Sequence, residues 1–190
     1  MPSPSRERLL DAAVDLLQRQ GYHGTGLNDL LERSEAPRGS LYHYFPGGKE
    51  QIGAEAIARA GDQVAAAIAH LLRAKASVAE AVEALAGLLA AGLEASAFER
   101  GCPVATTALE VTPRSEPVRA AVQASFDGWL APLRARLEET GFERAEAARR
   151  ADLTIAALEG ALILARARQN ADVLRDVGRQ LRPLLRPPEA

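Results

Sequence analysis

The stretch that most limits what this chain can become runs from Thr25 to Phe45, TGLNDLLERSEAPRGSLYHYF. Leu27, Leu30 and Leu31 fall at i, i+3 and i+4 and make one apolar helical face, with Thr25 ahead of them as the expected N-cap. Pro37 pushes Ala36 out of the α region and itself fits only at the start of a new helix, so the chain turns through Ser34–Pro37. The second piece, Arg38 to Phe45, is too short to stand alone and has to bury Leu41 and Phe45 against neighbours. That leaves Arg38, Ser40, Tyr42, His43 and Tyr44 projecting outward. Two short helices around a tight turn, with an exposed polar and aromatic second helix, match what a DNA major groove accepts.

The rest of the chain reads as helix after helix. A first helix is expected from about Pro4 to Gln20, with Ser3 as cap, Leu9, Leu10, Ala13, Val14 and Leu17 as its buried stripe, and Gly21 as its left-handed stop. After the Pro46-Gly47-Gly48 link a long helix continues to about Ala74, its stripe of Ile52, Ile57, Val64, Ile68, Leu71 and Leu72 serving first a head and then a body. Ser77 and Glu80 form a capping box opening a helix to about Phe98. A short helix from Val104 to Val111 ends at Thr112-Pro113. A longer one, Ser115 to Thr140, carries Val118, Val122, Phe126, Trp129, Leu133 and Leu137. The expected fold is all-α, with a helix-turn-helix head over residues 1–47 and a larger helical body over 48–190.

The last two helices, about Ala145 to Gln169 and Ala171 to Leu185, point to self-association. The run from Leu153 to Ala165 is apolar nearly all round and has to be covered on both sides, while few helices remain to cover it. Gly160 and Ala161 are small enough to admit another helix, and Leu174, Val177, Leu181 and Leu184 repeat at heptad-like spacing. A twofold four-helix interface using Leu153, Ala157, Gly160, Ala161, Leu164, Leu174, Val177 and Leu181 satisfies both, making the expected state a homodimer.

These residues resemble a known family. From Leu9 to Ile57, the GYHGTGLNDLL run, the SLYHYF helix and the following Lys49-Glu50 look like the DNA-binding domain of the TetR (tetracycline-repressor-like) regulators. FPGGKE and Gly101-Cys102-Pro103-Val104 resemble its LmrA/YxaF-like branch. The resemblance implies a dimeric helical repressor on a palindromic double-stranded DNA operator, released by a small-molecule effector. It also implies backbone-contacting positions at Thr25, Tyr42, His43 and Lys49, and base-facing ones at Arg38, Gly39, Ser40 and Tyr44. A pocket lined by Phe98, Thr106, Phe126 and Trp129 is implied in the body. Three departures stand out. Pro37 replaces the usual Ser or Thr cap, Glu35 occupies a turn position often held by glycine, and the Pro46-Gly47-Gly48 link is one residue longer than the commonest spacing.

Composition supports the helical reading: 47% of residues are hydrophobic but only 4% aromatic, so the apolar content is mostly Ala, Leu and Val. Charge is a caution for DNA, since residues 1–60 carry seven Lys and Arg against eight Asp and Glu. From Ala36 to Lys49 there is nevertheless no acid. Arg38, His43 and Lys49, with Arg6 and Arg8 on the amino-terminal arm, should make a small positive face. No leader and no transmembrane run are legible, so a cytoplasmic protein without membrane contact is expected. The single cysteine, Cys102, excludes an internal disulfide and a cysteine zinc site, and is expected to be a small buried hydrophobe rather than a redox sensor. The three histidines fall at unrelated points, with no phosphate loop or nucleophile elbow. No cofactor, metal or catalytic group is expected. A ligand-binding helical protein or enzyme without a DNA role is the alternative, and a helical scaffold would leave the Arg38–Tyr44 face unexplained.

Overall fold

The structure, a computed structural model, describes residues 3–110 and 115–187. Among these the chain is helical and without strands: α1 (Pro4–Gly24), α2 (Leu27–Ser34), α3 (Arg38–Tyr44), α4 (Gly48–Ala74), α5 (Val78–Ala95), α6 (Pro103–Glu110), α7 (Glu116–Glu139), α8 (Arg144–Arg168), α9 (Asp172–Leu181) and a 3-10 turn (Arg182–Leu185). The expected boundaries hold to within a residue or two, except at three places, the first being α1, which kinks at Gly21 and runs on to Gly24 instead of stopping at Gln20. The Ser77 helix ends at Ala95 because Ala97 and Phe98 take left-handed backbone angles, and the last helix tightens into the 3-10 turn. The Thr112-Pro113 stop and Val111 lie outside the described residues.

The chain divides into two compact units, and not at residue 47. One comprises the described residues up to Asp62 together with Cys102–Ser125; the other comprises Gln63–Gly101 and the chain from Phe126 onward. The reason is that α6 packs on α1, so a segment far along the sequence belongs to the head. In this unit Leu9, Leu17, Leu30, Leu41, Phe45, Ile52 and Ile57 are fully buried, which is the stripe pattern expected of the head. Ion pairs surround that core: Arg6 with Glu55, Arg59 with Glu7 and Asp11, and Arg33 with Asp15 at 2.5 Å.

In the second unit α9 lies along α5, and Gly178 permits the approach, since a Cβ there would stand 2.7 Å from the Ala86 methyl. Trp129, Leu133, Leu137 and Leu174 are fully buried. Ser77 caps α5 as expected, its hydroxyl accepting the Glu80 N–H at 3.2 Å. Leu174 and Leu181, expected at a subunit interface, are spent on this packing, and Ala161 is buried with them. What α8 leaves outside is Leu153, Ile163 and Leu164, each about half exposed, with Gly160 between them.

Two local features of the head bear on the expected structure, Thr25 against it and Glu35 in line with it. Thr25 is not the N-cap of α2. It is buried, and its hydroxyl donates back to the Gly21 carbonyl at 2.7 Å, while Gly26 takes the cap position and gives its N–H to Asp29. Glu35 closes α2 in the left-handed region at φ 51°, where an L side chain is strained by roughly 1–2 kcal/mol. Glycine removes that strain and returns part of it through a more flexible unfolded chain. A Glu35→Gly variant is therefore expected to melt about 2 °C higher, a net gain of ~0.5–1 kcal/mol. A lower melting temperature in differential scanning calorimetry contradicts this reading of the turn.

Candidate nucleic-acid interface

Helix α3 is held from beneath and free on top. Leu41 and Phe45 are fully buried, the Arg6 guanidinium lies 5.4 Å over the Phe45 ring, and Pro37 stands at the N-cap without a side-chain bond. Arg38, Gly39, Tyr42 and His43 are exposed and Ser40 is half-buried. Tyr42 keeps 59% of its surface in solvent, an unusual cost for a large ring in a face with nothing to bind. The Arg38 guanidinium is steadied by one hydrogen bond, from Nη2 to Asn28 Oδ1 at 3.2 Å, which leaves most of its donor fork available. A Cβ added to Gly39 would meet no atom within 4 Å, so the protomer itself does not require glycine there.

Tyr44 behaves differently from its neighbours. It is half-buried, its ring edge meets His43 at 4.7 Å between centroids, and its hydroxyl donates to Ser3 Oγ at 2.8 Å. Its hydroxyl is thereby engaged with the start of α1, and the outward face is carried by Arg38, Gly39, Ser40, Tyr42 and His43. Thr25, buried as described, offers no side-chain surface to a ligand either.

Lys49 is fixed at the start of α4. Its ammonium donates to the His23 carbonyl at 3.3 Å and lies 4.9 Å above the Tyr22 ring. Burial, with the Glu50 carboxylate adding to it, raises the Tyr22 phenol above its usual range, so the ring is neutral under ordinary conditions. Of the basic groups expected on this face, Arg6 is committed to Glu55 and Glu7, so the positive charge rests on Arg38 and Lys49, with His43 exposed on the same helix as Arg38 and Arg8 exposed on α1.

The residues proposed for a ligand are split between the units. Thr106 sits on α6 in the first; Phe98, Phe126 and Trp129 are in the second. Phe126 and Trp129 meet edge to face at 5.1 Å, and Trp129 is 1% exposed. Phe98 is at φ 62°, and its carbonyl accepts a hydrogen bond from Arg166 Nε at 3.2 Å. Cys102 is half-buried rather than buried, and its sulfur accepts the Ala105 N–H at 3.4 Å, as the first residue before α6. The described residues include no His, Cys, Asp and Glu group fit to hold a metal and no helix long and apolar enough to cross a membrane.

Sequence comparison gives two family matches, "Bacterial regulatory proteins, tetR family" over residues 9–56 and "Transcriptional regulator LmrA/YxaF-like, C-terminal domain" over 78–180. The chain is 34% identical over 182 residues to the HTH-type transcriptional regulator LmrA of Bacillus subtilis, covering 96% of this chain and 97% of that one. It is 38% identical over 185 residues to the HTH-type transcriptional regulator Rv0196 of Mycobacterium tuberculosis, covering 95% and 93%. Among solved structures it is similar to a cysteine mutant of the regulator CifR complexed with 26 bp double-strand operator DNA. That likeness has a TM-score of 0.79 and 29% identity over 94% of this chain and 95% of that one.

Proposed function

The chain belongs to the TetR family of bacterial transcriptional regulators, in its LmrA/YxaF-like branch, and from that premise we propose that it is a homodimeric repressor of a palindromic operator, released by a small, apolar effector. That it is a DNA-binding regulator follows from the family, and its named relatives are regulators rather than enzymes. The observation that carries the proposal is the outward face of α3. A buried Leu41 and Phe45 seat a short helix whose other side offers Arg38, an unfilled Gly39, Ser40, Tyr42 and His43.

In this reading Arg38 pairs with a guanine edge, Gly39 and Ser40 allow and line the close approach, and Tyr42, His43 and Lys49 meet phosphates. Tyr44 acts through its brace on α1. The dimer forms along the outer face of α8 through Leu153, Ala157, Gly160 and Leu164, joined by Ile163 and by Val177 of α9. Its twofold axis sets half-sites about one helical turn, ~34 Å, apart or a multiple of it. The effector occupies the body near Phe126 and Trp129 and shifts α4, which runs from the head into the second unit. A ligand that favours the displaced state lowers operator affinity by its differential affinity for the two states. Such a protein works in the cytoplasm, without cofactor, metal or catalytic step.

A Tyr42→Ala variant tests the docking. The residue is exposed, so the fold should be unaffected, while two lost contacts per dimer are expected to weaken operator binding by about tenfold or more. Wild-type affinity in fluorescence anisotropy sinks the docking as described.

A further inference from the structure

Glu110 ends α6, where a carboxylate faces the negative pole of its own helix and gains nothing from it. Its partners are elsewhere. Gly21 turns to φ 73° inside α1, which takes the N–H groups of Tyr22 and His23 out of the helical ladder. Both are given to a single oxygen, Glu110 Oε2, at 2.6 and 2.9 Å. Two successive amides converging on one anion form a backbone nest. The main-chain oxygen of Glu110 faces His23 Nε2 at 3.0 Å, and because a carbonyl only accepts, that nitrogen carries the proton. A Cβ at residue 21 would collide with the Glu110 carboxylate, so the glycine supplies both the turn and the seat.

The other side of the same two residues faces Lys49. The His23 carbonyl accepts the Lys49 ammonium at 3.3 Å, and the Tyr22 ring lies beneath it at 4.9 Å. Gly53 of α4 closes on the ring from behind, since a Cβ there would stand 2.6 Å from it. Each group that locates the lysine is thus carried by a residue whose amide Glu110 holds.

We infer that Glu110 is a positioning residue for operator binding: by bracketing the Tyr22 and His23 amides it places the Lys49 ammonium where a DNA phosphate meets it. The inference rests on reading α3 and Lys49 as the DNA surface, and it adds a residue that never touches DNA. It also gives α6 a direct hold on the head, so that any movement of the end of α6 alters phosphate contact.

The test is the salt dependence of operator binding for four proteins besides wild type. Lys49→Ala is expected to flatten the slope of log affinity against log salt by about 0.9 per half-site, the loss of one phosphate contact. Glu110→Ala is expected to flatten it by the same amount and to weaken binding roughly tenfold, the double variant Glu110→Ala with Lys49→Ala to be no flatter than either, and Glu110→Gln, which keeps an accepting oxygen, to restore most of the slope. A wild-type slope for Glu110→Ala, or additive losses in the double variant, overturns the inference while leaving the docking intact. Tighter binding by both Glu110 variants also overturns it, because the carboxylate would then act only as a charge repelling DNA. An unchanged slope for Lys49→Ala overturns the docking, and the inference with it.

Discussion

Leu164→Asp is expected to turn a dimer into a monomer and to cost at least a hundredfold in operator affinity. Leu164 is 46% exposed in the protomer, as is Ile163 next to it at 56%, and Leu153, about three turns earlier on the same helix, is 50% exposed. Three large aliphatic side chains in solvent on one helix form a patch of the kind that a partner normally covers. The substitution leaves the protomer's own core untouched, so its fold should survive. In a dimer it would bury an unpaired carboxylate, at several kcal/mol for each copy. A protein reduced to one recognition helix loses the second half-site and falls from the affinity range of specific complexes, about 10⁻⁸–10⁻¹¹ M, toward the non-specific range of about 10⁻⁴–10⁻⁶ M. Sedimentation velocity at micromolar concentration checks the assembly. A wild-type monomer, or a Leu164→Asp dimer, contradicts the α8 interface.

Arg38→Ala carries the second large effect. A bidentate arginine on guanine is worth about 1–3 kcal/mol of discrimination, and a twofold dimer makes the contact twice. The expected loss is therefore ~2–6 kcal/mol, on the order of thirtyfold to ten-thousandfold on the operator, with much less change on random DNA. Asn28 holds one arm of the guanidinium, so part of the loss should also follow from removing the asparagine. Lys49→Ala is the contrast: it should weaken specific and random DNA alike, because a phosphate contact carries no sequence. If Arg38→Ala weakens both DNAs equally, the arginine touches phosphate and another residue reads the base.

Much of the head was legible from local rules. The turn at Pro37 and the burial of Leu41 and Phe45 follow from backbone sterics and i, i+4 spacing, and the structure places each accordingly, while Gly21 takes the expected positive φ but kinks α1, which runs on to Gly24, rather than ending it. Thr25 was misread because its hydroxyl has two acceptable uses, capping the helix ahead or bonding the carbonyl four residues behind. Asp29 already satisfies Gly26, which leaves Thr25 to turn back into the core. Composition showed that the Leu153–Ala165 run of α8 is apolar nearly all round but not which side is its own core. Ile155, Leu158 and Leu162 are the inner face, and Ile163, absent from the expected interface, is on the outer one. Leu174 and Leu181 kept a heptad-like spacing that served α5 of the same chain, through the close contact at Gly178. Glu110 carried no local signal at all. Its partners are 87 and 88 residues away, and only the packing of α6 on α1 brings them together.

The central claim, specific DNA recognition by α3, is tested most directly by fluorescence anisotropy with DNA from immediately upstream of the protein's own gene, against scrambled DNA, over a series of salt concentrations. The account predicts tight binding to one upstream sequence, weak binding to the scrambled one, and a log-log salt slope of about −0.9 for each phosphate neutralised. Equal, weak binding to both, repeated when fragments selected from the whole genome are tried, would contradict it.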